Sequence, residues 1–323
     1  MVVLNMVEAI NLALKQEMKR DKTVLILGED VGVDGGVFRV TDGLLKLYPK
    51  RVFDTPLAES GIVGTSLGLA ASGWKPVAEM QFEGFILPAF DQIVNHVARI
   101  RNRSRGAFTA PLVIRCPIGG GIKALEHHSD SPEAYFAHTP GLKVIMPSTP
   151  YDAKGLLIAA IRDPDPVIFF EPKRIYRAIK QEVPEKEYTI PIGKARIVQE
   201  GTELTIISYG AMVRECEQAI EKIKDHVSVE LIDLRTLRPL DKEAILTSVK
   251  KTGRVIIVHE AQKTLGLAAE ISAIINEEAL LSLKAPIERI TGLDIIVPLP
   301  KLEDYYVIDE KRIIAAIEKV VNF

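Results

Sequence analysis

A glutamate between a strand and a helix is the first candidate for chemistry in this sequence. Residues 54–64 read DTPLAESGIVG, so an acidic residue closes an apolar strand and Glu59 opens a helix of mostly small side chains. Ligands of open α/β sheets bind in the crevice at the carboxyl ends of the strands, within reach of such a carboxylate. The structural alternative is that the helix dipole alone explains an acidic first turn, at roughly 0.3–1 kcal/mol.

A glycine-rich loop with two adjacent histidines is the second candidate. Residues 119–133 read GGGIKALEHHSDSPE and follow a predicted strand. Histidine, hydroxyl and carboxylate groups together suit proton transfer near neutral pH. Metal binding is the competing interpretation, although no Cys or His follows at zinc spacing. A third possibility, compatible with a catalytic His128, is that Ser129 or Asp130 caps the next helix.

Four arginines, at positions 99, 101, 103 and 105, form a basic cluster at the end of a helix predicted over 88–103. Basic residues at a helix C-terminus complement the dipole, which is the structural interpretation. The alternative is a docking site for an acidic protein partner.

The helix after Glu59 has an unusually smooth face. Gly61, Gly64, Gly68 and Ala71 recur at three- or four-residue spacing. Each glycine costs a helix interior roughly 1 kcal/mol relative to alanine, so close approach of another backbone must compensate. That backbone belongs either to the same core or to a helix of a partner subunit.

Short Val- and Ile-rich runs alternate with helical periodicity, the pattern of an α/β protein with a largely parallel sheet flanked by helices. Strands are predicted at 23–27, 77–82, 112–116, 143–146 and 166–170, and the clearest helix at 152–162. A charged, proline-bearing linker at 180–191 precedes a second series, with strands near 204–208, 229–233, 254–259 and 287–290. Helices of that series are predicted near 212–224, 242–251, 266–278 and 309–321.

Composition excludes several function classes. The 323 residues are 47% hydrophobic and 26% charged, and the net charge of −2 gives no reason to expect nucleic acid or anionic lipid as main partner. No apolar run spans a bilayer, no secretory leader is recognisable, and two distant cysteines suit a reducing cytoplasm. Dinucleotide, P-loop, serine-hydrolase and zincin motifs are missing.

Several long motifs, in order, resemble one family. They are TPLAESGI at 55–62, QFEGFILPAFDQIVN at 81–95, the stretch 140–157, LIDLRTLRPLD at 231–241 and the closing VNF. The chain resembles the beta subunit of the thiamine-diphosphate-dependent decarboxylating component of 2-oxo acid dehydrogenase complexes. The resemblance implies a transketolase-like pyrimidine-binding domain (1–183), a linker (184–198) and a smaller transketolase C-terminal α/β domain (199–323).

The resemblance also implies roles for individual residues. Glu59 would hydrogen-bond the aminopyrimidine ring of thiamine diphosphate and promote its reactive tautomer, and Leu57, Gln81 and Phe85 would line the pyrimidine pocket. His128 would handle the intermediate and the lipoyl acceptor, with His127 beside it and Asp130 where the family often has Gln. A structural potassium site built mainly from backbone oxygens would map to Leu112, Ala160, Ile161, Asp163 and Asp165.

Half of the expected cofactor site is missing. No GDG motif, which anchors Mg²⁺ and the diphosphate in such enzymes, occurs in the sequence. The resemblance therefore implies an alpha subunit that supplies this half in an α2β2 heterotetramer, and contact of the region near Phe323 with the lipoyl acyltransferase core. Pyruvate and branched-chain 2-oxo acids stay open as substrates. A transketolase-type carboligase half-subunit and a non-catalytic scaffold that recruits partners are the alternative functions.

Overall fold

A computed structural model describes all 323 residues, which form two compact units. The first unit contains Met1–Gly119 and Tyr135–Ile192, and the second contains Gly120–Ala134 and Gly193–Phe323. Each has a largely parallel sheet with helices against it, which confirms the predicted α/β class. None of the helices combines the length and apolar character that crossing a bilayer requires.

The strands up to Val183 are β1 (Val2–Leu4), β2 (Val24–Gly28), β3 (Val52–Asp54), β4 (Lys75–Glu79), β5 (Val113–Ile118), β6 (Lys143–Ile145), β7 (Val167–Pro172) and β8 (Gln181–Val183). The helices of this stretch are α1 (Met6–Arg20), α2 (Leu44–Leu47), α3 (Glu59–Ala71), α4 (Ile100–Arg103), α5 (Glu133–Ala137) and α6 (Pro150–Arg162). Short 3₁₀ helices occur at Glu83–Ala89 and Lys173–Ile175, and a π-helical segment at Gln92–Val97.

Six strands of the first unit form a parallel array in the order β6-β7-β5-β4-β2-β3. Every residue of β2, β5 and β7 is buried, as expected for Val- and Ile-rich strands covered on both faces. Helices α1 and α6 pack against each other. Gly28 pairs with Asp54 on one side and with Glu79 on the other, so β3, β2 and β4 end level with one another.

Side-chain caps fix the starts of two of the three long helices of this unit, α1 and α6. Asn5 and Glu8 form a reciprocal capping box at the start of α1, with bonds of 3.0 and 2.8 Å. The Thr149 hydroxyl accepts from the Asp152 N–H at 3.1 Å, and Pro150 takes the first helical position, where no N–H donor is needed. The helix predicted over 152–162 is thereby confirmed.

The continuous α-helix predicted over 88–103 is wrong. The chain instead forms the 3₁₀ helix, the π-helical segment and the four-residue α4, and the Ala98 N–H donates to the Ile93 carbonyl five residues back, at 2.9 Å, as in a π-helix. The basic cluster at its end is bonded locally. Arg99 donates to the Val94 carbonyl at 3.1 Å and Arg103 to the Asn95 carbonyl at 2.7 Å, which favours the helix-terminus interpretation.

The strands of the second unit are β9 (Arg196–Gln199), β10 (Leu204–Ser208), β11 (Val229–Asp233), β12 (Thr236–Arg238), β13 (Val255–Gln262) and β14 (Glu288–Gly292). Its helices are α7 (Met212–Ile223), α8 (Lys242–Thr252), α9 (Leu267–Ala279), α10 (Glu303–Tyr306) and α11 (Glu310–Val321), with a 3₁₀ turn at Leu280–Ser282. The sheet order is β14-β13-β10-β11-β9, parallel except for the edge strand β9. The four strands and four helices predicted here from periodicity are confirmed.

The stretch predicted as a linker, 180–191, contains β8, which pairs antiparallel with β1. The buried ammonium of Lys154 donates to the carbonyls of Pro184, Glu185 and Lys186, the last at 3.0 Å. The chain passes from the first unit to the second at Gly193.

A pair of glycines with the same backbone conformation tests the packing of the first unit. Gly141 has φ +96°, and a Cβ at this residue would collide with the Ala98 carbonyl. Gly73 has φ +92°, and a Cβ at that residue would meet no atom within 4 Å. We expect Gly73→Ala to lower the free energy of unfolding by about 1 kcal/mol and Gly141→Ala by about 3 kcal/mol or more. Urea unfolding of both variants measures the difference, and equal losses would contradict the close approach at Gly141.

Candidate active site

The strand order creates a crevice at the carboxyl ends of β2 and β4. From β2 the chain crosses to β3 on one side, and from β3 it returns past β2 to β4 on the other. Such a reversal is the topological switch point at which open α/β sheets bind ligands. The segments leaving β2, β3 and β4 carry Glu29, Glu59 and Gln81, respectively.

Glu59 is the first residue of α3 and is 8% exposed. The preceding residue, Ala58, offers no side-chain cap, so the positive end of the helix dipole faces the glutamate. The position of Glu59 in the first turn is compatible with the dipole interpretation and with chemistry at the switch point.

Hydrogen bonds hold the loop between β3 and α3 to the end of β2 and to the segment that follows it. The Asp54 carboxylate accepts from the N–H of Gly32 at 2.6 Å and of Val33 at 3.1 Å, and the Thr55 N–H donates to the Gly28 carbonyl at 2.9 Å. These bonds tie the exits of two neighbouring strands together. They set the direction in which the chain approaches Glu59.

Glu29 is a site residue that the sequence reasoning missed. It is 5% exposed, and neither carboxylate oxygen has a hydrogen-bond partner. Burial, with repulsion from Glu59 and Asp30, raises the pKa of Glu29 to about 7. A signal was available, because Glu29 lies two residues after the end of the strand predicted over 23–27, where ligand-binding residues of open α/β sheets occur.

Gln81 and Phe85 lie in the segment that follows β4. The Gln81 amide donates to the Asp30 carboxylate at 2.8 Å, which connects it to the loop that carries Glu29. Phe85 lies in the 3₁₀ helix Glu83–Ala89, against which α3 packs, and its ring is 6.1 Å from that of Phe82 in an edge-to-face arrangement. The first unit thus gathers the predicted pyrimidine-site residues in one region, with Leu57 the most exposed at 74%.

Buried ion pairs support this region. The Lys173 ammonium donates to both Glu83 oxygens, at 2.6 and 2.5 Å, and lies 5.3 Å from the centre of the Phe82 ring. Beside it, Arg115 is fully buried and donates to Glu171 at 2.7 and 2.8 Å and also to Glu79. The carboxylates hold the pKa of Arg115 above its usual range. Separating the partners of such a pair leaves a buried charge without compensation, which costs much free energy. The network therefore holds its members in fixed positions.

His128 belongs to the second unit and is half-buried. Its Nδ1 lies 2.7 Å from the Glu126 carbonyl oxygen. Since a carbonyl can only accept, Nδ1 carries the proton and the lone pair of the neutral ring is on Nε2. The His127 ring, at a residue with φ +46°, has its centre 5.1 Å from that of His128.

The carboxylates among the predicted potassium ligands are paired with cations of the chain itself. Lys143 donates to both oxygens of Asp163 at 2.6 Å, and Arg101 donates to Asp165 at 3.0 Å. The Leu112 carbonyl accepts from the Val167 N–H at 3.0 Å. Main-chain oxygens are thus what these residues offer to a cation. No group of three or more His, Cys, Asp or Glu side chains in the structure is placed to hold a metal ion.

The smooth face of α3 does not pack against the chain's own core. Gly61, Gly64 and Gly68 are exposed, and a Cβ at Gly68 would meet no atom within 4 Å. Of the two interpretations of this face, burial in the same core is therefore wrong. The face is open beside Glu59, at the start of the same helix.

Comparison with known proteins gives the family. Residues 3–179 match the transketolase pyrimidine binding domain and residues 193–313 the transketolase C-terminal domain. A protein of Acholeplasma laidlawii named pyruvate dehydrogenase E1 component subunit beta is 55% identical over 100% of this chain and 99% of its own length. One of the same name from Bacillus subtilis is 51% identical over the full length of both. The chain therefore belongs to the beta subunits of the decarboxylating component, E1, of 2-oxo acid dehydrogenase complexes, as its motifs predicted.

A solved structure supports the fold. A protein titled "Split gene transketolase, inactive beta4 tetramer" superposes with a TM-score of 0.81 over 99% of this chain and 98% of its own, at 21% sequence identity. This likeness confirms the transketolase-like architecture.

The raised pKa of Glu29 predicts a characteristic pH dependence of stability. Because the pKa rises from 4.5 to about 7 on folding, the native state binds more protons over this range. Stability is full below pH 4.5 and is lost as the pH rises through 7, by about 2 to 4 kcal/mol in total. We expect Glu29→Gln to abolish this part of the pH dependence in urea unfolding between pH 5 and 8, whereas Asp34→Asn, which removes an exposed carboxylate nearby, keeps it. A Glu29→Gln curve parallel to that of the unsubstituted chain would contradict the assignment.

Proposed function

We propose that this chain is the catalytic beta subunit of a pyruvate dehydrogenase, which decarboxylates pyruvate oxidatively and acylates a lipoyl group reductively. The observation that carries the proposal is Glu59, a buried carboxylate at a helix start, at the switch point and in electrostatic contact with Glu29. Pyruvate, rather than a branched-chain 2-oxo acid, is supported by the names of the 55% and 51% identical relatives.

We infer that Leu57, Glu59, Gln81 and Phe85 hold the aminopyrimidine end of thiamine diphosphate. The residues fit such a group. Phe85 offers an apolar ring face, Gln81 an amide, and the buried oxygens of Glu29 are without a hydrogen-bond partner beside them. When bound, thiamine diphosphate supplies the electron sink for the carbon that loses carbon dioxide.

With thiamine diphosphate bound, the buried Glu59 carboxylate would hydrogen-bond a ring nitrogen of the aminopyrimidine and would favour its reactive tautomer. Burial, with the negative charges of Glu59 and Asp30, raises the pKa of the nearby Glu29 to about 7, so a second negative charge in the same place is unfavourable.

We propose that His128 acts when the acyl group passes to the lipoyl acceptor. The bond between Nδ1 and the Glu126 carbonyl fixes the tautomer, so Nε2 is the atom that binds and releases a proton. A sulfur that leaves the lipoyl disulfide needs such a proton.

We propose that an alpha chain completes the site in an α2β2 heterotetramer and supplies the groups for Mg²⁺ and the diphosphate. The open glycine face of α3 supports this partner, since another helix can approach its backbone closely. A chain docked there would adjoin Glu59, the first residue of α3.

A groove in the second unit supports contact with the lipoyl acyltransferase core. It has a volume of about 820 Å³ and is lined by apolar side chains together with Lys284, Arg289 and Phe323. The two cations favour an acidic partner segment.

Two further proposals concern a cation and the compartment. We propose that a structural potassium ion is held by main-chain oxygens of Leu112, Ala160, Ile161, Asp163 and Asp165, since the two carboxylates already have cationic partners.

We propose the cytoplasm as the compartment, which the two free, buried cysteines support.

The central test is Glu59→Gln, which keeps the size of the side chain and removes its ability to carry the proton. In the complex with the alpha chain we expect carbon dioxide release from pyruvate to fall at least about 100-fold. Glu182→Gln, which changes an exposed carboxylate on β8, should stay within about twofold. Undiminished decarboxylation by Glu59→Gln would refute the catalytic assignment, and faster turnover of 3-methyl-2-oxobutanoate than of pyruvate would refute the substrate.

Assembly is tested by filling the smooth face of α3. Leucine at Gly68 has open space and raises helix propensity by about 0.8–1 kcal/mol, so the Gly68→Leu chain should fold. Its side chain blocks close approach of a partner backbone, so we expect affinity for the alpha chain to fall more than about tenfold. Lys19→Leu, on the exposed end of α1, serves as the control, and size-exclusion chromatography of the mixed chains reads out the complex. Normal assembly of Gly68→Leu would exclude this face as the interface.

A further inference from the structure

The histidine loop is built into the second unit although it lies far from that unit in sequence. Gly120–Ala134 belongs with Gly193–Phe323 by its contacts. Its conformation is irregular, with φ +88° at Gly121, +56° at Lys123 and +46° at His127. Such a loop keeps one shape only if other groups satisfy its backbone donors.

One carboxylate satisfies several of these donors. Glu303, the first residue of α10, is 1% exposed. Its Oε1 accepts from the Gly121 N–H at 2.8 Å and its Oε2 from the Lys123 N–H at 2.7 Å. The Ser129 hydroxyl lies 3.5 Å from Oε1, at the limit of a hydrogen bond. Glu303 thus contacts the loop on both sides of His127 and His128.

Other groups of the same unit reinforce the loop at its two ends. Glu260, on β13, accepts from the Gly120 N–H. At the exit, the Tyr209 hydroxyl donates to Glu133 at 2.8 Å. Glu303 accepts from two backbone N–H groups of the loop and Glu260 from one, so Glu303 is the anchor with the most bonds to this backbone.

We propose that Glu303 is the positioning residue of His128: by accepting from Gly121 and Lys123 and reaching Ser129, it fixes the loop that presents the imidazole. The inference rests on the proposed role of His128 in the acyl transfer. Glu303 itself touches backbone and not substrate, so it acts through the loop.

Hydrogen exchange of the loop amides tests the anchoring independently of activity. Glu303→Gln keeps one acceptor oxygen and turns the other into a donor that opposes an N–H. We expect the amides of Gly121 and Lys123 to exchange about tenfold faster or more in the full chain, while those of β13 are unchanged. Asp304→Asn is the matched control, because Asp304 is exposed and its carboxylate accepts from the Lys123 ammonium, at 3.0 Å, rather than from the backbone of the loop. Unchanged exchange in Glu303→Gln would overturn the proposal.

A double-mutant cycle in the complex with the alpha chain tests whether Glu303 acts through His128. We expect Glu303→Gln to lower kcat/KM for reductive acylation of a lipoylated domain about tenfold, and to cause no further loss in a His128→Ala background. Additive losses would overturn the proposal, because a merely structural effect would slow both backgrounds equally. If Glu303→Gln does not fold, Glu303→Asp, which is too short to reach both N–H groups, replaces it in both measurements. Full activity of His128→Ala would instead refute the proposed role of His128, while the exchange data still decide the anchoring.

Discussion

The mutual repulsion of two buried carboxylates is the constraint on which the active-site region depends. Glu29 and Glu59 leave neighbouring parallel strands at the same edge of the sheet, and neither is free to move into solvent. Burial, with the negative charges of Glu59 and Asp30, raises the pKa of Glu29 to about 7, and the helix dipole of α3 favours negative charge at the start of that helix.

The ion pairs beneath the site explain why that arrangement is rigid. Arg115 connects β4, β5 and β7 through Glu79 and Glu171, and Lys173 fixes Glu83 at the start of the 3₁₀ helix that carries Phe85. Buried ion pairs contribute little net stability, but breaking one is costly. They therefore act here as fixed points that keep the crevice in one shape.

The sequence predicted the regular parts of the fold well, because local forces decide them. The strands Leu204–Ser208 and Val229–Asp233 are short runs rich in aliphatic residues and are buried along their whole length, and α6 carries its own cap at Thr149. The helix expected over 88–103 was wrong, since apolar spacing alone does not distinguish the hydrogen-bond pattern of a π-helix from that of an α-helix. The three-residue strands β1 and β8 have no local signal, because each exists only through pairing with the other.

The residues of the candidate site differ in the same way. Motifs made Glu59, Gln81 and Phe85 candidates, and the position of Glu29 just after a predicted strand would have made it one as well. Glu303 could not be predicted from the sequence, because it lies more than 170 residues beyond the histidine loop and no local sequence pattern indicates the contact.

The glycines on the outer face of α3 also have a consequence for the thermodynamics of association. A surface of lysines or methionines must freeze many rotamers when it is covered, at up to about 2 kcal/mol for each side chain. Gly61, Gly64 and Gly68 have no rotamers to freeze, and their backbone is already ordered by the helix. A partner that docks on this face would therefore immobilise no side chains at these three positions, which lowers the ordering part of the cost of association.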